Sequence, residues 1–226
     1  AYLVARSLAG HKPVVFTGAM RTSTDLGWDG PANLGAAVRV AASDIARGHG
    51  ALVVMNDRVY AGLDVTKAHT HMLDAFESPG LGPLGVVDDG RVTFRRAIPE
   101  PCRTIETRQL GGPVDIIYAY AGADARLLDA ARVEGQGLVL AALGRGNVPP
   151  AMVPGIERWI AEKKPVVVAS RALRGRVGHT YGYYGGGRRL FEAGVIFAGS
   201  RRPQQARIDL MLALGAGLDA REVFER

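Results

Sequence analysis

The sequence predicts an α/β protein with two domains, each with a largely parallel sheet flanked by helices. Short apolar runs rich in β-branched residues alternate with segments whose apolar residues recur at helical spacing, which is typical of strand–helix–strand units. Residues 98–112 interrupt this alternation, because they contain two prolines and two glycines and show little periodicity. We therefore expect an N-terminal domain at 1–97, a linker at 98–112 and a C-terminal domain at 113–226.

The elements of the first domain follow from apolar runs and from residues that favour turns or helix ends. Pro31 suits the first turn of a helix, and Leu34, Val38, Ala41 and Ile45 recur after it at helical spacing. An Asp-Gly pair between two alternating runs favours a two-residue β-hairpin. In chain order, we expect a helix at 2–8, a strand at 12–17, a loop at 22–30, a helix from 31 to 47, a strand at 51–55 and a hairpin at 86–92.

The alternation of strands and helices restarts in the second domain. Asp219 is a good N-cap for the last helix, and a glycine-rich loop is expected at 182–187. The predicted strands lie at 114–118, 137–141, 165–169 and 195–198, and the predicted helices at 123–133, 150–163, 203–214 and after 219.

Composition narrows the class of protein and of partner. A chain of 226 residues with 47% hydrophobic and 22% charged residues is typical of globular domains. No apolar run approaches the ~20 residues that span a bilayer, so no membrane partner is predicted. The net charge of +6 comes from 28 basic residues, four of them Lys, scattered among 22 acidic ones, and without a long basic run no nucleic-acid partner is predicted. Cys102 is the one cysteine, which excludes an intrachain disulfide.

Candidate site residues follow the first two predicted strands, because parallel sheets bind ligands at the carboxyl ends of their strands. Gly18-Ala19-Met20 follows the first strand, and Asn56-Asp57 follows the second and leads to Asp64-Val65-Thr66-Lys67. A tripeptide such as the first is also an ordinary turn, and a loop lysine is usually a solvated charge. A lysine that is partly buried beside an acid and a hydroxyl can instead lose its proton and activate a nucleophile. The glycines at 185–187 lack the spacing and context of a phosphate-binding loop.

Several segments together resemble the bacterial-type L-asparaginases, in the order and spacing of that family and over nearly the whole chain. The segments that carry the resemblance are 14–21 (VVFTGAMR), 29–31 (DGP), 33–34 (NL), 53–57 (VVMND), 64–67 (DVTK), 78–79 (SP), 82–85 (GPLG), 144–147 (GRGN) and 203–207 (PQQAR).

The resemblance implies an amidohydrolase that converts L-asparagine to L-aspartate and ammonia, often with lesser activity on L-glutamine, and without a metal or cofactor. A Thr hydroxyl is the expected nucleophile. In the family one Thr lies in an N-terminal Thr-Gly-Gly-Thr motif and a second in a Thr-Asp pair just before the helix where this chain begins. Both segments are expected outside this chain, so its N-terminal domain is expected to be truncated at its start, and Thr17, Thr22, Ser23, Thr24 and Thr66 are not assigned as nucleophiles.

The resemblance also assigns roles to four residues of this chain. Lys67 matches the catalytic lysine that joins the Thr-Asp pair in a proton-transfer triad. Ala19 matches a position whose carbonyl lies near the substrate amide, and Asn147 matches a residue that reaches into a neighbouring subunit's site. Tyr184 lies roughly where some members place an acid that binds the substrate amine. Members of the family are homotetramers, arranged as dimers of dimers with sites shared between subunits.

Two other hypotheses stay open at this point. The chain is a related amidase, such as a glutaminase-asparaginase or the similar tRNA-amidotransferase subunit, or it is a non-catalytic fragment or binding module. The compartment, cytoplasmic or periplasmic and secreted, also stays open.

Overall fold

In the computed structural model, which describes residues 1–8, 10–98 and 103–225, the chain divides into two units, Ala1–Ile105 and Glu106–Arg226. The expected linker at 98–112 includes residues 99–102, which lie outside the described residues, as does Cys102 itself. Among the described residues, no helix combines the length and the apolar character that crossing a membrane requires.

The first unit is built around one five-stranded sheet with the order β1-β2-β3-β6-β7, and β4 and β5 form a separate two-stranded ribbon. Its elements are α1 (Tyr2–Ser7), β1 (Val14–Phe16), α2 (Gly30–Ala42), a 3₁₀ helix (Asp44–Ala46), β2 (Ala51–Met55), β3 (Arg58–Ala61), β4 (Thr66–Lys67), β5 (Phe76–Glu77), β6 (Gly85–Asp88) and β7 (Arg91–Phe94).

The sheet of the first unit is mixed, where a largely parallel one was expected. The β1–β2 pair is parallel, as the strand–helix–strand pattern predicts, but β2–β3, β3–β6 and β6–β7 are antiparallel. Two tight turns account for the β2–β3 and β6–β7 pairs, since strands joined by two residues must be antiparallel. Asp89-Gly90 forms the predicted hairpin, and Asn56-Asp57 forms a second one in which both residues have positive φ, 49° and 55°.

Helix α2 covers one face of this sheet with its smallest side chains. Ala36, Ala37 and Val40 are buried in a cluster with Leu52 and Val54 of β2. The apolar repeat that predicted the helix lies on a different side of it, because Leu34 and Val38 are 58% and 59% exposed. The helix ends at Ala42, so Ile45, the last member of the repeat, lies beyond it in the 3₁₀ helix and is 51% exposed. The helix is therefore confirmed, but the residues that predicted it are not the ones that it buries.

The second unit contains a four-stranded sheet with the order β11-β10-β9-β8, in which every pair is parallel. Its elements are β8 (Val114–Tyr118), α3 (Arg126–Arg132), β9 (Gly137–Ala142), a 3₁₀ helix (Pro150–Met152), α4 (Val153–Ala161), β10 (Val166–Ser170), α5 (Gly187–Glu192), β11 (Ile196–Phe197), α6 (Pro203–Ala216) and α7 (Ala220–Phe224). The predicted strands and helices are all present, and α5 is an additional helix that follows the glycine-rich loop.

Helices cover both faces of this parallel sheet, so β9 and β10 are buried along their whole length. On one face, Leu128 of α3 and Ile156 and Trp159 of α4 pack in the same cluster as Leu140. On the other face α6 approaches so closely that a Cβ at Gly137 would lie 2.9 Å from Leu210 Cδ2. Asp219 caps α7 as predicted, because its carboxylate accepts a hydrogen bond from Arg221 N at 2.9 Å.

Trp159 offers a test of how strongly the core of the second unit depends on one side chain. It is fully buried, and its indole Nε1 donates to Leu128 O at 2.9 Å. Trp159→Phe should lower the free energy of unfolding by about 2 kcal/mol, because a small cavity forms and a buried carbonyl loses its donor.

The matched control is Trp28→Phe, since Trp28 is 46% exposed and should change the stability by less than about 0.5 kcal/mol. Both variants can be compared by urea denaturation of the protein. Equal stabilities for the two variants would contradict the packing described here.

Candidate functional site

The loop after β1 is fixed by hydrogen bonds to neighbouring segments of the chain. Thr17 Oγ1 donates to Val54 O at 2.8 Å, which joins the ends of β1 and β2. The amide of Asn33 donates to Gly18 O at 2.9 Å. Ala19 follows these two anchored residues, and it is exposed. The predicted site residue Ala19 therefore lies on a surface loop whose backbone is fixed by hydrogen bonds to buried parts of the unit.

Asp29 holds the second half of this loop. Its carboxylate accepts hydrogen bonds from Met20 N at 3.0 Å and from Arg21 N at 2.9 Å. Partial burial alone would raise the pKa of Asp29, but the hydrogen bonds from Met20, Arg21 and Asn33 together outweigh it, so the pKa of Asp29 lies below its usual range. Asp29 is therefore a carboxylate at neutral pH and serves as an acceptor for this loop.

Asn33 connects Asp29 to both strands. Its side chain is buried at 2% exposure, and its Nδ2 donates to Asp29 Oδ2 at 2.8 Å and to Gly18 O. Its Oδ1 accepts from Asn56 N at 2.9 Å, at the end of β2. The orientation of the amide is determined by these partners, because two oxygens face Nδ2 and one N–H faces Oδ1.

Neither Asp29 nor Asn33 was predicted as a site residue from the sequence. Both belong to the stretch 29–34 that carries part of the resemblance, but no role was assigned to them. The available signal was their spacing of four residues at the start of a helix, which places two polar side chains on one side of it. That spacing does not show that their partners lie eight to fifteen residues earlier in the chain.

Lys67 lies on the short strand β4, which pairs with β5 so that Lys67 faces Phe76 in the register. Its side chain is exposed, so the described residues do not supply the burial that the proposed chemistry of a neutral lysine requires. Nearby, Asp64 pairs with Arg96 at 3.4 Å. His69 caps the adjacent turn, since its Nδ1 accepts from His71 N and Met72 N, both at 3.1 Å.

A small apolar cluster brings the Ala19 loop and the Lys67 strand together. Side chains of β2 alternate between the two faces of the sheet, and those on the face opposite α2 form this cluster. Its buried members are Val53, Met55 and Tyr60, and Ala1, Phe16, Met20, Val65 and Phe76 pack against them. Met20, which adjoins Ala19 in the chain, and Phe76, which pairs with Lys67, thus pack against the same apolar cluster, and Ala1 packs against it as well.

In the second unit, Asn147 lies in the loop after β9 and connects it to the end of the glycine-rich loop. Its Oδ1 accepts from Gly187 N at 3.1 Å, at the start of α5. In the same loop, Gly144 O accepts a hydrogen bond at 2.7 Å from the Oγ of Ser170, which lies at the end of β10. The polar group of Asn147 therefore stabilises the carboxyl edge of the parallel sheet.

Tyr184 lies in the glycine-rich loop and is 43% exposed. Its side chain lines a cavity of about 250 Å³ between α4 and α5, together with Val153, Glu157 and Arg189. The structure therefore places the Tyr184 side chain against these helices, whereas Asn147 contacts the start of α5 through Gly187. Among the described residues, no group of His, Cys, Asp and Glu side chains is placed to hold a metal ion.

These features define a two-unit α/β protein with candidate site residues at the carboxyl ends of strands. Family models match both parts of the chain, "Asparaginase, N-terminal" over residues 1–100 and "Glutaminase/Asparaginase C-terminal domain" over residues 113–225. The chain therefore belongs to the asparaginase family of amidohydrolases, and the resemblance drawn from its motifs is confirmed.

Individual relatives agree with this assignment. The chain is 40% identical to a "Probable L-asparaginase" of Deinococcus radiodurans over 99% of its own length and 70% of that protein. It is 34% identical to "L-asparaginase 2" of Bacillus subtilis over 99% of its own length and 59% of that protein. The crystal structure of a "Probable Cytoplasmic L-asparaginase" from Campylobacter jejuni superposes with a TM-score of 0.89 at 31% identity, covering 100% of this chain and 74% of the other. The chain thus spans 59% to 70% of the length of the two sequence relatives.

The lowered pKa of Asp29 gives the loop a pH-dependent stability. Asp29→Asn should lower the free energy of unfolding at neutral pH by about 1–3 kcal/mol, because charge-assisted hydrogen bonds weaken and two amide donors face each other. A carboxylate with a lowered folded-state pKa stabilises fully above its unfolded-state pKa of about 4, and this stabilisation is lost as the pH falls through the folded-state pKa.

Urea denaturation of wild type and variant between neutral pH and about pH 2.5 checks this expectation. The difference between the two proteins should be constant at higher pH and should shrink below about pH 4. A difference that stays constant over the whole range would show that the charge of Asp29 does not stabilise the loop.

Proposed function

We propose that the protein containing this chain hydrolyses L-asparagine to L-aspartate and ammonia through a Thr nucleophile that lies outside residues 1–226. One observation carries the proposal. Ala1 packs on the same apolar cluster as Met20 and Phe76, which adjoin Ala19 in the chain and Lys67 in the register. A segment that precedes Ala1 in a longer protein would therefore emerge beside both predicted site residues.

The chemistry is that of a hydroxyl nucleophile. The Thr hydroxyl transfers its proton as its oxygen attacks the side-chain amide carbon of asparagine. The C–N bond breaks, the amine leaves with a proton as ammonia, and an acyl-enzyme ester remains. Water then attacks the ester and releases aspartate and the Thr hydroxyl. Lys67 is proposed to act in the proton transfers, together with an acid and a hydroxyl from the preceding segment.

The substrate contacts of this chain are proposed from the positions of the remaining residues. The Ala19 carbonyl, on its exposed loop, would accept a hydrogen bond from the substrate amide. Asn147 and Tyr184 are proposed to act in the site of a neighbouring subunit of a dimer or tetramer. We also propose that residues 1–97 and 113–226 are two functional domains, each of which contributes residues to such a shared site. L-Glutamine is the alternative substrate, and the ratio of kcat/KM for the two amides decides between them.

Lys67 is tested by a variant that keeps the length of the side chain and removes its charge. Lys67→Met should lower kcat by a factor of about 10² to 10⁴, the range typical of a lost proton-transfer group. The comparison is made per folded molecule, with the folded fraction of each variant measured by circular dichroism.

Lys12→Met is the matched control, since Lys12 is also exposed and lies before β1. It should leave both kcat and KM unchanged when ammonia release from L-asparagine is measured with the full-length protein. Wild-type turnover by Lys67→Met would overturn the assignment of Lys67.

The position of the nucleophile is tested by covalent labelling. An electrophilic analogue of asparagine should form an adduct with a Thr of the full-length protein, and peptide mapping by mass spectrometry should place the adduct outside residues 1–226. An adduct on Thr17, Thr22, Ser23, Thr24 or Thr66 would contradict the proposal.

A further inference from the structure

We propose that Asp29 and Asn33 are positioning residues for this hydrolysis, which act by fixing the direction of the Ala19 carbonyl. The inference rests on the proposed function and deepens it. The two side chains act through the backbone of residues 18–21, which we call the carbonyl loop. The proposal does not include a contact between either side chain and the substrate.

The direction of the Ala19 carbonyl follows from the geometry of one peptide unit. The Ala19 C=O and the Met20 N–H belong to the same planar group, and in a trans peptide they point in opposite directions. Met20 N–H points at Asp29, with its nitrogen 3.0 Å from each carboxylate oxygen. The Ala19 oxygen must therefore point away from Asp29. The next peptide unit is held by the same carboxylate, through the hydrogen bond from Arg21 N, which restricts rotation of the backbone on that side.

Asn33 fixes the other side of the carbonyl loop and the position of Asp29 itself. It holds Gly18 O, the peptide oxygen just before Ala19, and it donates to Asp29 Oδ2 at 2.8 Å. Its own position is fixed by Asn56 N at the end of β2. Since the amide is buried and its polar atoms are all paired with these three partners, it cannot rotate without breaking several hydrogen bonds at once.

Asn33 also connects the carbonyl loop to the apolar cluster beneath Lys67. Its Nδ2 lies 3.9 Å from Met55 Sδ, and Met55 is a buried member of the cluster that Val65 and Phe76 pack against. Displacing this amide would therefore turn the proposed acceptor of the substrate amide away from its direction, and through Met55 it would also affect the packing beneath Lys67. Misorientation of this kind lowers kcat more than it weakens substrate binding.

The test exchanges the two side chains. Asp29→Asn places two amide donors against each other, and Asn33→Asp places two carboxylates against each other. Asp29→Asn combined with Asn33→Asp restores the pair, because the amide now at position 29 donates to the carboxylate now at position 33 and still accepts from Met20 N and Arg21 N. The carboxylate at position 33 still accepts from Asn56 N, so that only Gly18 O loses its donor.

Steady-state kinetics of the full-length protein with L-asparagine, normalised to the folded fraction by circular dichroism, should separate the cases. Each single variant should lower kcat about 10- to 100-fold with KM within about threefold of wild type, and the double exchange should regain at least about tenfold of the kcat that Asp29→Asn loses. Asp44→Asn is the matched control, because Asp44 is exposed and pairs with Arg47 in the region of the 3₁₀ helix after α2, and it should behave as wild type.

Two results would overturn the positioning role. One is a wild-type kcat per folded molecule in the single variants, which would make the contacts merely structural. The other is a double exchange that is no better than Asp29→Asn. Should the amide variants not accumulate, Asp29→Glu keeps the charge but displaces the carboxylate by one methylene group. A folded Asp29→Glu protein with wild-type kcat would also overturn the role.

The same kinetics distinguish failure of this inference from failure of the proposed function. A wild-type protein without asparaginase activity would overturn the proposed function and this inference together. Active variants whose kcat does not respond to the substitutions would overturn this inference alone.

Discussion

The first unit depends on one buried amide that three segments satisfy together. Asn33 lies where the end of β1, the first turn of α2 and the end of β2 meet, and it bonds to each of them. A buried amide without partners costs about 1–3 kcal/mol, so this arrangement is stable only while all three segments keep their relative positions. The requirement fixes the loop after β1, which by itself is a short exposed segment with few apolar contacts.

The second unit uses the same kind of constraint at the carboxyl edge of its parallel sheet. Ser170 at the end of β10 holds Gly144 after β9, and Arg171 donates to Ala119 O after β8 at 2.8 Å. Asn147 in turn holds the start of α5. Side chain to backbone hydrogen bonds thus connect neighbouring loops at the edge where parallel sheets bind ligands. Loops held in this way present backbone groups in fixed directions, which a binding site needs.

The sequence predicted most of the fold because its apolar periodicities match the elements that formed. It missed the second hairpin of the first unit, since Asn56-Asp57 lacks the glycine that marks such turns, although both residues adopt positive φ. That turn reverses β3 relative to β2, and with the Asp89-Gly90 hairpin it contributes to the mixed sheet. It also missed α5, because a helix that begins at Gly187 directly after two other glycines runs against helix propensity.

The candidate site was predictable only in part, for a similar reason. The strand-end rule pointed to Ala19 and to the segment before Lys67, because that rule depends on topology alone. Asp29 and Asn33 could not be found in this way, since the role proposed for them rests on hydrogen bonds to backbone groups that no residue type marks. The exposure of Lys67 agrees with the ordinary expectation that a loop lysine is solvated. The burial that its proposed role needs could not be predicted, because it depends on what covers the strand and not on the strand itself.

That exposure constrains what can complete the site. An ammonium group on the surface costs little, but burying it without a partner costs several kcal/mol. Under the proposed function, a segment that covers Lys67 would have to bring a carboxylate or a comparable set of acceptors with it, because an unpaired buried ammonium lowers the stability of the folded state. An acid next to the proposed Thr nucleophile would meet this requirement, because the carboxylate that compensates the lysine could also orient the hydroxyl that gives up its proton. In the proposed site, pairing an acid with the Thr would therefore serve stability as well as catalysis.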